Sequence, residues 1–155
     1  MSFLDLLQQS QSLLNRNSLS IDERLEKLCS LLKSRVDHYD WVGFYFKNGH
    51  KKELKLRAFA GEPTEHVIIP FGKGICGQVA ERNATLNIAS VEDQGNYIAC
   101  GIDVKSELVV PLFKNRENIG QIDIDSHQKD AFSEKDEEFL AAINKRVASM
   151  LHDFQ

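Results

Sequence analysis

Two capping-box patterns, one near each end of the chain, bracket a central stretch in which strand patterns dominate. Ser20 with Glu23 opens a predicted helix over about 21–36, whose apolar positions recur at helical spacing. Ser133 with Asp136 opens another helix in the same way. A further amphipathic pattern predicts a short helix over residues 2–15, which could cap the core or mediate dimerisation. Helices therefore lie at both ends of the chain and strands between them.

The central stretch contains two predicted hairpins. The first joins residues 41–46 to residues 54–60 through Asn48-Gly49, a dipeptide favoured in tight turns. The second joins residues 108–113 to residues 118–124 around a turn at 114–117. Shorter apolar runs at 67–69 and 86–88 add to the set. This arrangement predicts an α+β fold: a central antiparallel sheet of five to six strands, with the N- and C-terminal helices packed on one face.

The size and charge of the chain limit its organisation and its partners. Its 155 residues, 42% of them hydrophobic, fit a single domain over 1–155, with helices in 1–38 and the sheet, pocket loops and last helix in 39–155. A net charge of −4 supplies no positive field, so neither nucleic acid nor a membrane is an expected partner. No apolar run reaches membrane-spanning length and no secretory signal is present, which predicts a cytoplasmic protein.

Three cysteines, an odd number, argue against a disulfide scaffold. Cys29 falls on the apolar face of its predicted helix, where an inert core thiol is expected. Cys76 follows a glycine-rich turn at the start of a short helix, a position that favours thiolate but is equally compatible with buried packing. Cys100 lies in a long polar loop over 89–105, where packing does not call for cysteine, and is the best candidate nucleophile.

Three acidic residues are expected to meet on one face of the second hairpin. Asp123 and Asp125 alternate with Ile124, so both carboxylates point to the same side, and Glu107 can lie across from them. Repulsion and partial burial would raise at least one pKa, giving a proton donor near neutral pH or a cation site, whereas solvated strand-end acids are the alternative. The five histidines show no paired ligand spacing and no C-x-x-C occurs, so no metal site is predicted.

Two further patterns have competing interpretations. Gly72 to Gly77 matches G-x-G-x-x-G letter by letter, but the surrounding hairpins do not supply the crossover helices of a dinucleotide fold. The glycines are therefore interpreted as a tight turn, and no cofactor is expected. Trp41 and Tyr45 share one strand face with Gly43 between them, which indicates either a shallow gap with aromatic walls or ordinary core packing.

In combination these segments resemble a known family, the free methionine-(R)-sulfoxide reductases, which are stand-alone GAF domains. The likeness is carried by five segments in order: residues 41–45, 69–77, 97–100, 106–112 and 119–126. The resemblance implies a GAF fold, in which the ligand pocket lies under loops on the face of the sheet away from most of the helices. Enzymes of this kind act in repair and redox defence.

The resemblance also implies roles for individual residues. Cys100 would attack the sulfoxide sulfur, and three acids, Glu107, Asp123 and Asp125, would bind and protonate free methionine sulfoxide. Trp41 and Tyr45 would line the pocket around its methyl end. A sulfenic acid on Cys100 would become a disulfide, which a thioredoxin-type reductant or a small thiol would reduce, with no bound cofactor.

The chain departs from the family pattern at one position. His66 stands ten residues before Cys76, where the family usually has a third, resolving cysteine. Either Cys76 resolves the sulfenic acid, or an external thiol does, or efficient turnover has been lost. His66 could help to hold Cys100 as thiolate, although a histidine on a surface strand is the favoured interpretation. A non-catalytic GAF module that binds a small ligand or senses redox state is the alternative function.

Overall fold

The computed structural model describes residues 2–97 and 103–151. They form four helices and six strands, and a short 3₁₀ turn at Val91–Asp93 follows the fourth strand. In chain order the elements are α1 (Phe3–Leu14), α2 (Ile21–Arg35), β1 (Trp41–Lys47), β2 (Glu53–Ala60), β3 (Ile68–Pro70), α3 (Gly74–Arg82), β4 (Leu86–Ile88), β5 (Ser106–Lys114), β6 (Glu117–Ser126) and α4 (Glu134–Met150).

The strands form one antiparallel sheet in the order β3-β2-β1-β6-β5-β4, which confirms the predicted α+β class. Helices α2 and α4 pack against one face, which we call the apolar face, and α1 packs on both of them. Their leucines share a core with Phe44, Ile122 and Ile124. The short helix α3 packs against the opposite face, together with Tyr45 and Val109. We call this second face the site face.

Local sequence explains how the helices begin. Both predicted capping boxes form, Ser20 with Glu23 before α2 and Ser133 with Asp136 before α4. Asp136 also accepts hydrogen bonds of 2.8 Å from the Tyr39 hydroxyl and from His38 Nε2, which fix the start of α4 to the segment that leads into β1. The last helix then packs mainly on β5.

The first helix caps the core, one of the two roles expected for it. Its Leu6 and Leu14 are buried, and the ring of Phe3 stacks on Phe139 of α4 with centroids 4.4 Å apart. None of the helices in the described part of the chain is long and apolar enough to span a membrane.

The hairpin connections differ in detail from the predictions. The loop between β1 and β2 runs over residues 48–52, so Asn48-Gly49 is part of a five-residue connection rather than a two-residue turn. The β5–β6 turn is shorter, with Asn115 and Arg116 both at positive φ. Near this turn β6 contains a bulge, because Leu112 pairs with Gly120 and Phe113 with Asn118, leaving Ile119 without a partner in the ladder.

Candidate functional site

Alternation along β6 brings three acidic side chains onto the site face. Asp123 and Asp125 point away from the apolar face, where Ile122 and Ile124 are buried. The β5–β6 register sets Glu107 directly opposite Asp125. All three carboxyl groups are almost completely buried. The expected cluster therefore forms, and the alternative of solvated strand-end acids is wrong.

Burial and mutual repulsion control the protonation of this cluster. The pKa of Glu107 is raised well above its ordinary value, first by loss of solvation and then by the charges of Asp123 and Asp125. The pKa of Asp123 is also raised by burial, against hydrogen bonds from Glu107 and Cys76 that lower it. A carboxyl group in this environment keeps its proton at higher pH than a solvated one does, and it can serve as a proton donor.

Helix α3 places Cys76 against the acids. Its Sγ lies 3.2 Å from Asp123 Oδ2 and 4.0 Å from Glu107 Oε2. A position in the first turn of a helix favours a thiolate. Here, however, the neighbouring Asp123 carboxylate accepts a hydrogen bond from the Cys76 S–H group. Cys76 is therefore a hydrogen-bonded thiol within the acid cluster, rather than an isolated thiolate at a helix end.

The glycine-rich segment before Cys76 is a tight backbone turn, as predicted. Gly72 and Gly74 both have positive φ, which residues with a side chain rarely adopt. Gly77 packs so closely that an added Cβ would lie 2.6 Å from the Pro70 carbonyl oxygen. This close approach seats the first turn of α3 on the strand before it.

Asn96 attaches the polar loop to the glycine turn, a contact that the sequence did not reveal. Its Oδ1 accepts from the Gly74 N–H at 2.9 Å, and its Nδ2 donates to the Gly72 carbonyl at 2.7 Å. The Gln78 side chain donates to the Asn96 carbonyl at 3.1 Å. We call these contacts the Asn96 clamp. It fixes a residue four positions before Cys100 to the turn that leads to Cys76.

The aromatic pair of β1 lies on the site face. Trp41 pairs with Asp125 across the β1–β6 ladder, and the Trp41 and Tyr45 rings are 6.4 Å apart between centroids. The space above Gly43 is filled by the indole, since an added Cβ there would lie 2.3 Å from Trp41 Cη2. The expected gap between the two rings is therefore occupied by Trp41 itself.

A cavity opens beside this pair at the ends of the strands. It has a volume of about 610 Å³ and is bordered by Trp41, Asp125, Asp40, Glu62 and His127, among other residues. Its size is within the usual range for small-molecule sites. The Trp41 Nε1–H donates to the Glu62 carbonyl at 2.9 Å and so fixes one wall of the cavity to the indole.

The remaining candidates are distributed differently. Cys29 is buried among the helices on the apolar face, where burial raises the pKa of its thiol. His66 is not on a surface strand: it precedes β3, is half-buried, and borders a small cavity with Cys76 and Glu107. Cys100 lies outside the described residues, so its distance from the acids stays untested.

Comparison with known proteins gives consistent matches. The family model described as "GAF domain" matches residues 18–152. A free methionine-R-sulfoxide reductase from Escherichia coli is 33% identical over 82% of this chain and 75% of its own.

Two solved structures are similar over most of their length. The type II free methionine-R-sulfoxide reductase from Thermoplasma acidophilum is 40% identical with a TM-score of 0.80, over 87% of this chain and 97% of that one. The free methionine-R-sulfoxide reductase from Neisseria meningitidis, solved in complex with its substrate, is 31% identical with a TM-score of 0.88, over 96% and 87%.

Proposed function

We propose that this chain, which belongs to the GAF domain family and within it to the free methionine-R-sulfoxide reductases, reduces free L-methionine-(R)-sulfoxide to methionine by attack of Cys100. The observation that carries the proposal is a buried carboxyl cluster with raised pKa values beside a thiol. Sulfoxide reduction needs a nucleophilic sulfur together with an acid that protonates the sulfoxide oxygen.

In the first step the Cys100 sulfur attacks the sulfoxide sulfur. The sulfoxide oxygen receives a proton from the cluster, with Glu107 the best donor because its pKa is raised most clearly. Oxygen transfer then releases methionine and leaves Cys100 as a sulfenic acid. The sum is one thiol plus one sulfoxide giving one sulfenic acid plus one thioether, so the substrate sulfur gains two electrons and the cysteine sulfur loses two.

In the second step a thiol displaces the sulfenic hydroxyl as water. We assign this step to Cys76, because His66 stands where the family usually has a cysteine. As Cys76 attacks Cys100, its proton can pass to Asp123, which already accepts it in a hydrogen bond, and a proton from the acid cluster joins the departing hydroxyl to give water. A thioredoxin-type reductant or a small external thiol then reduces the disulfide, and two electrons per turnover enter by this route.

The cavity beside Trp41 and Asp125 supports recognition of a free amino acid. A free substrate carries an ammonium group that methionine within a polypeptide lacks, and Asp125 borders the cavity as a carboxylate partner for it. Trp41 borders the cavity and would pack against the methyl end of the substrate, and fully buried Tyr45 would act by supporting the indole. These three residues would therefore determine selectivity, while Cys100 and Glu107 perform the chemistry.

A thioredoxin-coupled assay of NADPH consumption tests the proposal. Wild type, Cys100→Ser and Cys76→Ser are each compared with the R and S diastereomers of free methionine sulfoxide. We expect R-specific turnover in wild type and none in Cys100→Ser. We expect Cys76→Ser to retain activity with dithiothreitol and to lose it with thioredoxin. Absence of R-specific turnover in wild type with either reductant would remove the enzyme proposal.

A non-catalytic module that binds a small ligand or senses redox state is the second candidate. The observation that favours it is His66, since loss of the usual resolving cysteine would impair recycling. Saturable binding of methionine sulfoxide by calorimetry, without methionine release under either reductant, would favour this module over the enzyme.

A further inference from the structure

Three side chains on the site face could also bind a metal ion, although the proposed reaction needs none. Cys76 Sγ and one carboxylate oxygen each from Glu107 and Asp123 all lie within 4.8 Å of one another. In a tetrahedral zinc site, bond lengths of ~2.3 Å to sulfur and ~2.0 Å to oxygen put these two atoms about 3.5 Å apart. The observed separations of 3.2 Å and 4.0 Å from Cys76 lie on either side of that distance. Small side-chain shifts would therefore complete the geometry.

Unpaired polar atoms on the same face provide a second, independent observation. Gln121 precedes Asp123 by two positions, shares its face of β6 and is fully buried. Neither the oxygen nor the nitrogen of its carboxamide has a hydrogen-bond partner among the described residues, and Asp123 Oδ1 has none there either. Buried polar atoms are normally paired, and unpaired ones often mark the place of an ion or a water molecule.

A small cavity offers access to two of the three ligands. It has a volume of about 10 Å³, roughly that of one water-sized sphere. Cys76 and Glu107 border it from the interior, and half-buried His66 and exposed Lys73 border it from the side of the surface. A single dehydrated cation is the kind of ligand that fits such a space.

We propose that Cys76, Glu107 and Asp123 form a reversible binding site for a thiophilic divalent cation, with Zn²⁺ the best match. One thiolate with two carboxylates is a donor set that Zn²⁺ accepts readily, whereas Mg²⁺ and Ca²⁺ select oxygen ligands alone. Binding displaces the thiol proton and any protons on the two carboxyl groups, so affinity increases with pH. A bound ion would occupy Cys76 and Glu107 and thereby inhibit reduction of the sulfoxide. Metal binding itself does not depend on the reductase proposal.

The test measures metal binding directly with the full chain in reduced form. ZnCl₂ is titrated against a chromophoric chelator, and CdCl₂ is titrated while the thiolate-to-metal charge-transfer band in the ultraviolet is recorded. Cys29→Ala and Cys100→Ser are matched thiol controls for Cys76→Ser. We expect one ion per chain and a charge-transfer band in wild type and both controls. We expect the band to disappear in Cys76→Ser and Zn²⁺ affinity to fall at least about tenfold in Asp123→Asn.

Other results would overturn the proposal. Equal Zn²⁺ affinity in wild type and Cys76→Ser would place the ion elsewhere. A cadmium charge-transfer band that is lost in Cys100→Ser and retained in Cys76→Ser would do the same. Thermal melts by circular dichroism identify variants that fail to fold, and Asp123→Asn then replaces Cys76→Ser as the deciding variant. If wild type shows no sulfoxide reduction at all, the cadmium band still decides whether the metal site exists.

Discussion

Along β6, the two faces of the central sheet bury side chains of opposite chemistry. On the apolar face, Ile122 and Ile124 pack among helices α2 and α4. On the site face, Asp123 and Asp125 of the same strand are equally buried, Asp123 against Cys76 of α3 and Asp125 beside the cavity at the strand ends. Burying carboxyl groups costs free energy, and apolar burial on the other face offsets that cost. The buried carboxyl groups of the site face therefore reduce the stability that apolar burial supplies.

Substitutions at neighbouring positions of β6 distinguish the roles of the two faces most sharply. Ile124→Ala should lower the free energy of unfolding by about 2–5 kcal/mol, because it removes a fully buried side chain and leaves a cavity. Asp125→Asn should leave the melting temperature nearly unchanged and reduce kcat/KM by about 10–10²-fold, because the substrate ammonium loses its carboxylate partner. Chemical denaturation and the coupled assay measure the two effects.

This comparison would break if the two outcomes were exchanged. A large loss of thermal stability in Asp125→Asn would assign that carboxyl group a structural role. A folded Ile124→Ala protein with greatly reduced turnover would show that the apolar face also shapes the site.

The acid cluster should make stability depend on pH in a defined direction. Since the folded pKa of Glu107 is raised above its ordinary value of 4.5, the folded state holds a proton that the unfolded chain releases. Stability is then fully present below about pH 4.5 and declines as pH rises towards the folded pKa. Glu107→Gln removes part of this decline, so its melting temperature should exceed that of wild type at pH 7 and approach it at pH 4. Parallel melting curves across this range would contradict the assignment.

The Asn96 clamp should affect activity more than stability. Asn96→Ala removes two hydrogen bonds to the glycine turn, and we expect a loss of about 1 kcal/mol in stability and a reduction of roughly ten- to a hundredfold in kcat. Asn87→Ala is the matched control, because Asn87 is also exposed and donates two hydrogen bonds of 3.0 Å, to Phe132 and Glu137. Similar stability losses with activity reduced only in Asn96→Ala would support the clamp, and equal activities would refute it.

The smallest effect is expected at the thiol on the apolar face. Cys29→Ala should cost roughly 1 kcal/mol or less and leave turnover unchanged, since Cys29 only packs within the core. Burial raises the pKa of this thiol, so native protein should not be alkylated there at neutral pH. Peptide mapping after iodoacetamide treatment tests this expectation, and rapid modification of Cys29 in folded protein would contradict it.

The sequence predicts those features that depend on residues a few positions apart in the chain. The capping boxes at Ser20 and Ser133 form because the interacting groups are three residues apart. The acids share a face because side chains alternate along a strand with period two. A hairpin alone brings Glu107 next to this strand, although its exact register also depends on the bulge at Ile119. In each case the information is short-range, so sequence alone is sufficient.

Features that depend on distant contacts or on a single rotamer were not predictable. The Asn96 clamp joins residues 22 and 24 positions apart in sequence, and an asparagine in a polar loop has no local signature for that role. The Trp41 indole fills the space over Gly43, an outcome that side-chain torsion decides rather than spacing. The half-buried position of His66 likewise depends on how its segment packs near α3.

The bulge at Ile119 shifts the pairing of β5 with β6 by one residue between the turn and the acid cluster. Counting seven positions from Lys114 and seven from Glu117, an unbroken ladder would set Glu107 opposite Ile124. The single unpaired residue advances the count by one, and Glu107 meets Asp125 instead. With the same residues, a ladder that lacked the bulge would turn Glu107 and Asp125 to opposite faces of the sheet. Convergence of the carboxyl groups therefore depends on one irregular ladder position near the turn, which itself contributes no group to the reaction.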